Sequence, residues 1–262
     1  MTDLYRVEIR QLVRSLGRHQ TADQKLDLGR KRQRLAGRIR DFHKSAEKFL
    51  GAEAVLELSN KAEIVEEPDG NISDSMKPDA PKPLPSDVEN KILVFPSQVA
   101  GTISTGVQHL QVRELQLRKG RANDALQGVR ESLGHLSFQY IEKVRRSTTT
   151  AQHLRSWQGI RSLNTELSFH RRVYNISRRV IVHLDTSMKP RYPPLLVKEC
   201  VISNAISDMN GRGQSQASLA WFWGAVDGYH PESAQGIGSD NKRLLECEYP
   251  CIFKISSQSE NH

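Results

Sequence analysis

The chain has 262 residues, 37 % of them hydrophobic and 6 % aromatic, with a mean hydropathy of −0.56. That composition can supply a helical core and argues against a large enzyme core. The formal net charge of +8 suits polyanionic partners, and three cysteines, Cys200, Cys247 and Cys251, are too few for a disulfide framework.

The charge is unevenly placed. Residues 1–50 carry 13 basic and 6 acidic side chains, residues 51–100 carry 4 and 10, and residues 118–183 carry 13 and 4. Two basic blocks are therefore separated by an acidic one, as two cationic faces joined by a spacer would be. No apolar run approaches the roughly 20 residues that a membrane span needs. The N-terminus MTDLYRVEIRQLV lacks the layout of a secretory signal. A soluble protein of a reducing intracellular compartment is expected, without membrane attachment. The glycosylation-like triplets at Asn71 and Asn175 are then expected to stay unmodified.

The first 58 residues read as basic helices. Leu4, Val7, Leu12, Val13 and Leu16 recur at steps near three and four, which predicts a helix over 4–18 with Gly17 as its stop. A second helix is predicted over 23–50 with Asp23 as its cap. Its apolar stripe is Leu35, Ile39, Phe42, Ala46, Phe49 and Leu50, and its other face is basic, from Arg30 to Lys48. Residues 59–106 form an acidic spacer in which Pro68, Pro78, Pro81, Pro83 and Pro85 fall among charged and small residues. Such a stretch buries too little apolar surface to offset its ordering entropy and is expected to be largely disordered.

Residues 107–187 form the most informative segment, and it contains no proline. Ala122, Leu126, Val129, Leu133, Leu136 and Tyr140 alternate steps of four and three, a heptad-like spacing. After a turn at Ser147–Thr150 a second arm carries Trp157, Ile160, Leu163, Leu167, Tyr174, Ile181 and Leu184 on one side. Arms of this kind are each about 50 Å long at the standard rise. The short connection implies antiparallel neighbours. Gly120, Gly128 and Gly134 read as tolerated weak points. The expected fold is all-α: a long antiparallel, coiled-coil-like helical hairpin packed with the N-terminal helices. Residues 188–262 read as an irregular tail, broken by Pro190, Pro193 and Pro194. Within it, residues 195–206 suit a short amphipathic helix. The cluster Trp221, Phe222 and Trp223 reads as a plug against the helices, in preference to a base-stacking surface.

An ordered series of segments points to a family. ELQLRKGRANDALQGVRESLG matches an ELxLRxGQANDAL-type helix. LYRVEIRQLV precedes it, and SFQYIEKVRRSTTTAQHLRSWQGI, HRRVYNISRRVIVHL and DMNGRGQSQASLAWFW follow in order. Together they resemble the C-terminal, post-catalytic region of fungal KDZ (Kyakuja–Dileera–Zisupton) transposases. The nuclease of that family is an RNase H-like domain lying upstream of the matched part. The resemblance therefore implies transposase origin without transposase activity, and no catalytic residue carries over. After the tryptophan cluster the tail SDNKRLLECEYPCIFKISSQSENH departs from the Arg-, Trp- and Glu-rich final helix of the family.

The candidate nucleic-acid contacts are Arg145, Arg146, Arg155, Arg161, Arg171, Arg172, Arg178 and Arg179. Arginines along a helix can track phosphates, giving affinity that is independent of sequence and sensitive to salt. No base-reading module is visible. Cys200, His230, Cys247 and Cys251 lack the paired spacing of structural zinc. His135, His153, His170 and His183 have no acid or nucleophile at a telling offset. Gly211-Arg212-Gly213 lacks the ending of a phosphate loop. No cofactor and no metal are expected. The sequence thus predicts a non-enzymatic, transposon-derived protein, nuclear rather than cytoplasmic, whose hairpin associates non-specifically with DNA. The alternative is a structural coiled-coil module that binds itself or another protein.

Overall fold

The computed structural model describes residues 2–16, 20–59, 87–99, 105–144, 146–200 and 220–223. Those residues are helical or irregular, with no β-strand among them. Five α-helices follow in order: α1 Thr2–Leu16, α2 Ala22–Leu50, α3 Ala52–Ser59, α4 Thr105–Phe138 and α5 Thr150–Leu184. The chain divides into two compact units. One comprises Met1–Ala122 with Asn175–Met188, the other Asn123–Tyr174 with Lys189–His262. Helices α4 and α5 run through both.

In the first unit α2 is capped by Thr21, not by Asp23. The Gln24 amide donates to Thr21 Oγ1 (3.3 Å) and the Thr21 amide to Gln24 Oε1 (3.0 Å), a reciprocal capping box. Asp23 sits inside the first turn, where its charge favours the helix dipole. At the other end Gly51 adopts a φ of +88°, a conformation costly for any residue with a Cβ, and separates α2 from α3. Gly17, the predicted stop of α1, lies outside the described residues.

The core of this unit gathers Ile9, Leu28, Leu35, Ile39 and Leu93, with Tyr5, Phe42 and Phe95 packed around it. Leu93 belongs to the segment expected as spacer. Residues 87–99 are in fact built into the unit, with Glu89, Leu93 and Val94 buried. Burial of Leu93 and Val94, with Ile92 and Phe95 partly covered, supplies the apolar gain that the proline-rich part of the spacer lacks. Polar contacts fix the segment. His43 Nε2 donates to the Ile92 carbonyl (3.1 Å), His183 Nε2 to the Ser97 carbonyl (3.2 Å) and Gln111 Nε2 to the Pro96 carbonyl (3.1 Å). The Ser97 amide donates to Glu114 Oε2 at 2.9 Å. Residues 60–86, which hold Pro68, Pro78, Pro81, Pro83 and Pro85 of the expected spacer, lie outside the described residues.

In the second unit the two arms run antiparallel. Tyr140 meets Trp157 and Ser156 Oγ donates to the Lys143 carbonyl (3.3 Å), while Gly128 lies against His170 farther from the turn. Leu126, Val129, Leu133 and Leu136 are buried with Ile160, Leu167 and Tyr174, as the heptad-like stripes predict, and Ala125 and Val173, outside those stripes, are buried as well. Trp157 is an exception, being 38 % exposed although it meets Tyr140 of the opposing arm. Gly128 is not merely tolerated: a Cβ there would lie 2.4 Å from the His170 ring. The first arm ends in a π-helical stretch, Gln139–Val144, that widens the helix before the turn. Phe222 is fully buried and its carbonyl accepts from Arg130 Nε (2.9 Å) and Nη2 (2.7 Å). Trp221 packs its ring against Tyr174, whose hydroxyl donates to the Pro193 carbonyl. The aromatic cluster thus plugs the helices, as its sequence suggests. Of the short helix expected over 195–206, the described part holds a single 3-10 turn, Val197–Glu199.

Candidate nucleic-acid interface

The eight candidate arginines do not share one environment. On α5 the buried residues Ile160, Leu167 and Tyr174 repeat every seven positions. Arg171 lies four residues after Leu167 and three before Tyr174. It therefore shares their side of the helix and is 6 % exposed. A phosphate cannot reach it without displacing the packing. Arg172 is half-buried, while Arg155 and Arg161 are exposed, and no acidic side chain among the described residues pairs with either of the exposed two. Arg146 is exposed beyond the π-helical stretch, where its Nη1 donates to Glu142 Oε2 at 2.7 Å. Such an exposed pair contributes little and opens readily. Arg145 lies outside the described residues.

In the first unit the same rule separates neighbours. Arg178 lies three residues before the buried Ile181 and is half-buried, whereas Arg179 is exposed. Arg179 lines a cleft of about 710 Å³ together with Gln98, Gln111, Val180 and His183. The arrangement the sequence describes as one cationic face thus reduces to Arg146, Arg155 and Arg161 in one unit and Arg179 in the other.

Several arginines that carry the fold are absent from that set. Arg118 Nη1 meets Asp3 Oδ2 at 2.8 Å, Arg121 Nη1 meets the same oxygen at 2.9 Å, and Arg118 also touches Glu114. Burial alone would raise the Asp3 pKa, but Arg118, with Arg6 and Arg121, outweighs it and holds the carboxyl below its ordinary value of 3.8. Arg32 forms a two-pronged pair with the buried Glu89, and Arg6 Nε donates to the Glu89 carbonyl. Burial pulls the Arg32 pKa down, and the Glu89 and Asp87 carboxylates more than reverse it. The local signal was present for two of these contacts, since Asp3–Arg6 and Glu114–Arg118 sit three and four residues apart. The 115-residue separation of Asp3 from Arg118 is invisible to any local pattern.

An aromatic cluster also went unread. Trp157 Nε1 donates to His153 Nε2 at 3.2 Å, and Tyr140 meets the indole edge-on with centroids 6.0 Å apart. The i, i+4 spacing of His153 and Trp157 was the available signal.

Among the described residues no three His, Cys, Asp or Glu side chains group to hold a metal ion. Cys200 is buried, and His230, Cys247, Cys251 and Gly211–Gly213 lie outside the described residues. No described helix is long and apolar enough to cross a membrane. Fold and surface together define an all-α protein built on an antiparallel helical hairpin with outward arginines. Compared with protein-family models, curated proteins and solved structures, the chain finds no match in any of the three.

Proposed function

We propose that this chain is a non-catalytic protein of transposase origin that associates with nucleic-acid backbone in the nucleus through the outward arginines of its hairpin. The transposase origin is supported by the ordered KDZ-like segments. The association is supported by one observation: Arg155 and Arg161 stand exposed on one helix with no carboxylate among the described residues to neutralise them. Side chains of that kind bind phosphate by displacing condensed counterions, with no need for a shaped pocket.

The test is salt-dependent binding to duplex DNA. Replacing Arg146, Arg155, Arg161 and Arg179 by glutamine lowers the slope of log affinity against log salt by about 0.9 for each phosphate no longer neutralised. Replacing the buried Arg171 instead changes stability and leaves the slope of the folded protein intact. Retention on DNA that ignores the first set removes the proposal.

A second reading, self-association through helices, rests on a separate observation in the first unit. Phe42, Phe49, Leu110 and Leu117 line an apolar groove of about 330 Å³, and Phe49 and Leu117 are 68 % and 76 % exposed. Ridges from two helices flanking such a groove fit an amphipathic helix of a second copy. Sedimentation at micromolar concentration then gives a dimer, and Leu117→Glu returns it to a monomer. A wild-type monomer at that concentration excludes this reading.

A further inference from the structure

We propose that the turn end of the hairpin is a single-strand site, where Trp157 stacks an unpaired base while Arg161 holds the adjoining phosphate. This rests on the nucleic-acid reading above and names the form of polymer that the hairpin prefers.

The argument begins with an indole that the fold leaves outside. Trp157 is 38 % exposed, although its position in the second-arm stripe predicts burial. It is not left loose. Its Nε1–H is held by His153 Nε2 at 3.2 Å, and the Tyr140 ring meets it at 89° with centroids 6.0 Å apart. The His153 ring is likewise set edge-on, at 68°. Both neighbours fix the plane of the indole, and neither lies parallel to it as a stacking partner would. Tyr140 sits in the π-helical stretch Gln139–Val144, a helical irregularity that recurs at functional sites. An indole fixed in plane and 38 % exposed offers part of its surface for stacking.

One exposed cation shares its side of the helix. Arg161 follows Trp157 by four residues, about 6 Å along the axis. It shares the outward strip of α5 with Trp157 and with Leu154, which is 63 % exposed. Arg155 is exposed too, but two residues before Trp157 it faces another side of the helix. Ring and guanidinium one turn apart match the alternation of base and phosphate along a strand. Every base has a π-face, so such contacts tolerate sequence. A duplex keeps its bases stacked on each other and offers this site only phosphates. The single strand is therefore favoured.

The test uses the full chain, labelled oligothymidylate and oligouridylate of roughly 20 nucleotides, long enough for a site of this kind, and a duplex of equal length, read by fluorescence anisotropy at one salt concentration. Trp157→Leu is expected to weaken binding of the single strands roughly ten-fold, with duplex binding unchanged. Trp157→Phe retains most of the affinity and loses the tryptophan quenching that single strand produces in the wild type. Far-ultraviolet dichroism and the urea midpoint of each variant confirm folding, as the exposed position requires. Equal single-strand affinity for wild type and Trp157→Leu overturns the site. So does equal affinity of the wild type for single strand and duplex. If duplex binding meanwhile falls in Arg155→Gln/Arg161→Gln, the broader reading stands without the stacking site. If the wild type binds neither polymer at low salt, both are overturned. Better binding of oligouridylate than of oligothymidylate assigns the natural strand to RNA, and the reverse assigns it to DNA.

Discussion

Arg118 and Arg161 are both arginines on long helices, and each lies in a stretch that sequence alone would paint as cationic surface. In the first unit Arg118 is buried between Asp3 and Glu114, the part-buried Arg32 is paired with the Glu89 carboxylate, and the buried Arg6 donates to the Glu89 backbone carbonyl. In the second unit Arg130 and Arg171 are buried while Arg155 and Arg161 remain outside. The difference teaches that the formal charge of a segment overstates its capacity for polyanions. A guanidinium already matched to a carboxylate releases few counterions from a phosphate. Buried arginine demands a partner, whether carboxylate or carbonyl, because leaving it unpaired costs several kcal/mol.

The largest test of that contrast is Arg118→Met. It leaves Glu114 and part of the Asp3 charge uncompensated in a buried setting and is expected to cost about 3 kcal/mol in urea unfolding. The pH dependence gives the claim a sign. The Asp3 pKa is lowered in the folded chain, so its share of stability is complete above 3.8 and is lost as pH falls through the folded value. Protonating Asp3 removes the charge that Arg118 serves, so the gap between wild type and variant narrows as pH falls below 3.8. A gap that stays constant down to the lowest pH at which both fold breaks the assignment.

In the second unit the corresponding test is geometric. Gly128→Ala places a methyl against the His170 ring and is expected to cost about 1–3 kcal/mol as overpacking. His170→Ala in the same chain recovers most of that cost, because it vacates the space. Thermal melts of the two single variants and the double variant measure the coupling, and simple additivity contradicts the close approach. The smallest effect sharpens the comparison. Arg155→Gln and Arg161→Gln are expected to shift stability by less than about 0.5 kcal/mol each. Destabilisation near that of Arg118→Met makes them structural and denies the outward role.

Much of the hairpin was legible because heptad-like spacing is a local property. Leu126, Val129, Leu133, Leu136, Ile160, Leu167 and Tyr174 are buried where that spacing puts them. Two kinds of residue escaped it. Trp157 fits the stripe but lies beside the turn, where the π-helical stretch changes what the opposing arm presents. Arg171 reads as surface by residue type, yet its offset from Leu167 and Tyr174 sets it inward. Counting offsets from the apolar stripe, ahead of residue type, separates Arg161 from Arg171.

Composition and periodicity alone determined the helical class, the turn near residue 147 and the apolar seam, because each depends on residues within a few turns of one another. Tertiary structure alone decided that residues 87–99 join a core, that Asp3 meets Arg118, and that Arg130 grips the carbonyl of Phe222. Those pairings join positions about 50 to 115 residues apart, where contact depends on how helices pack and no repeat in the chain records it.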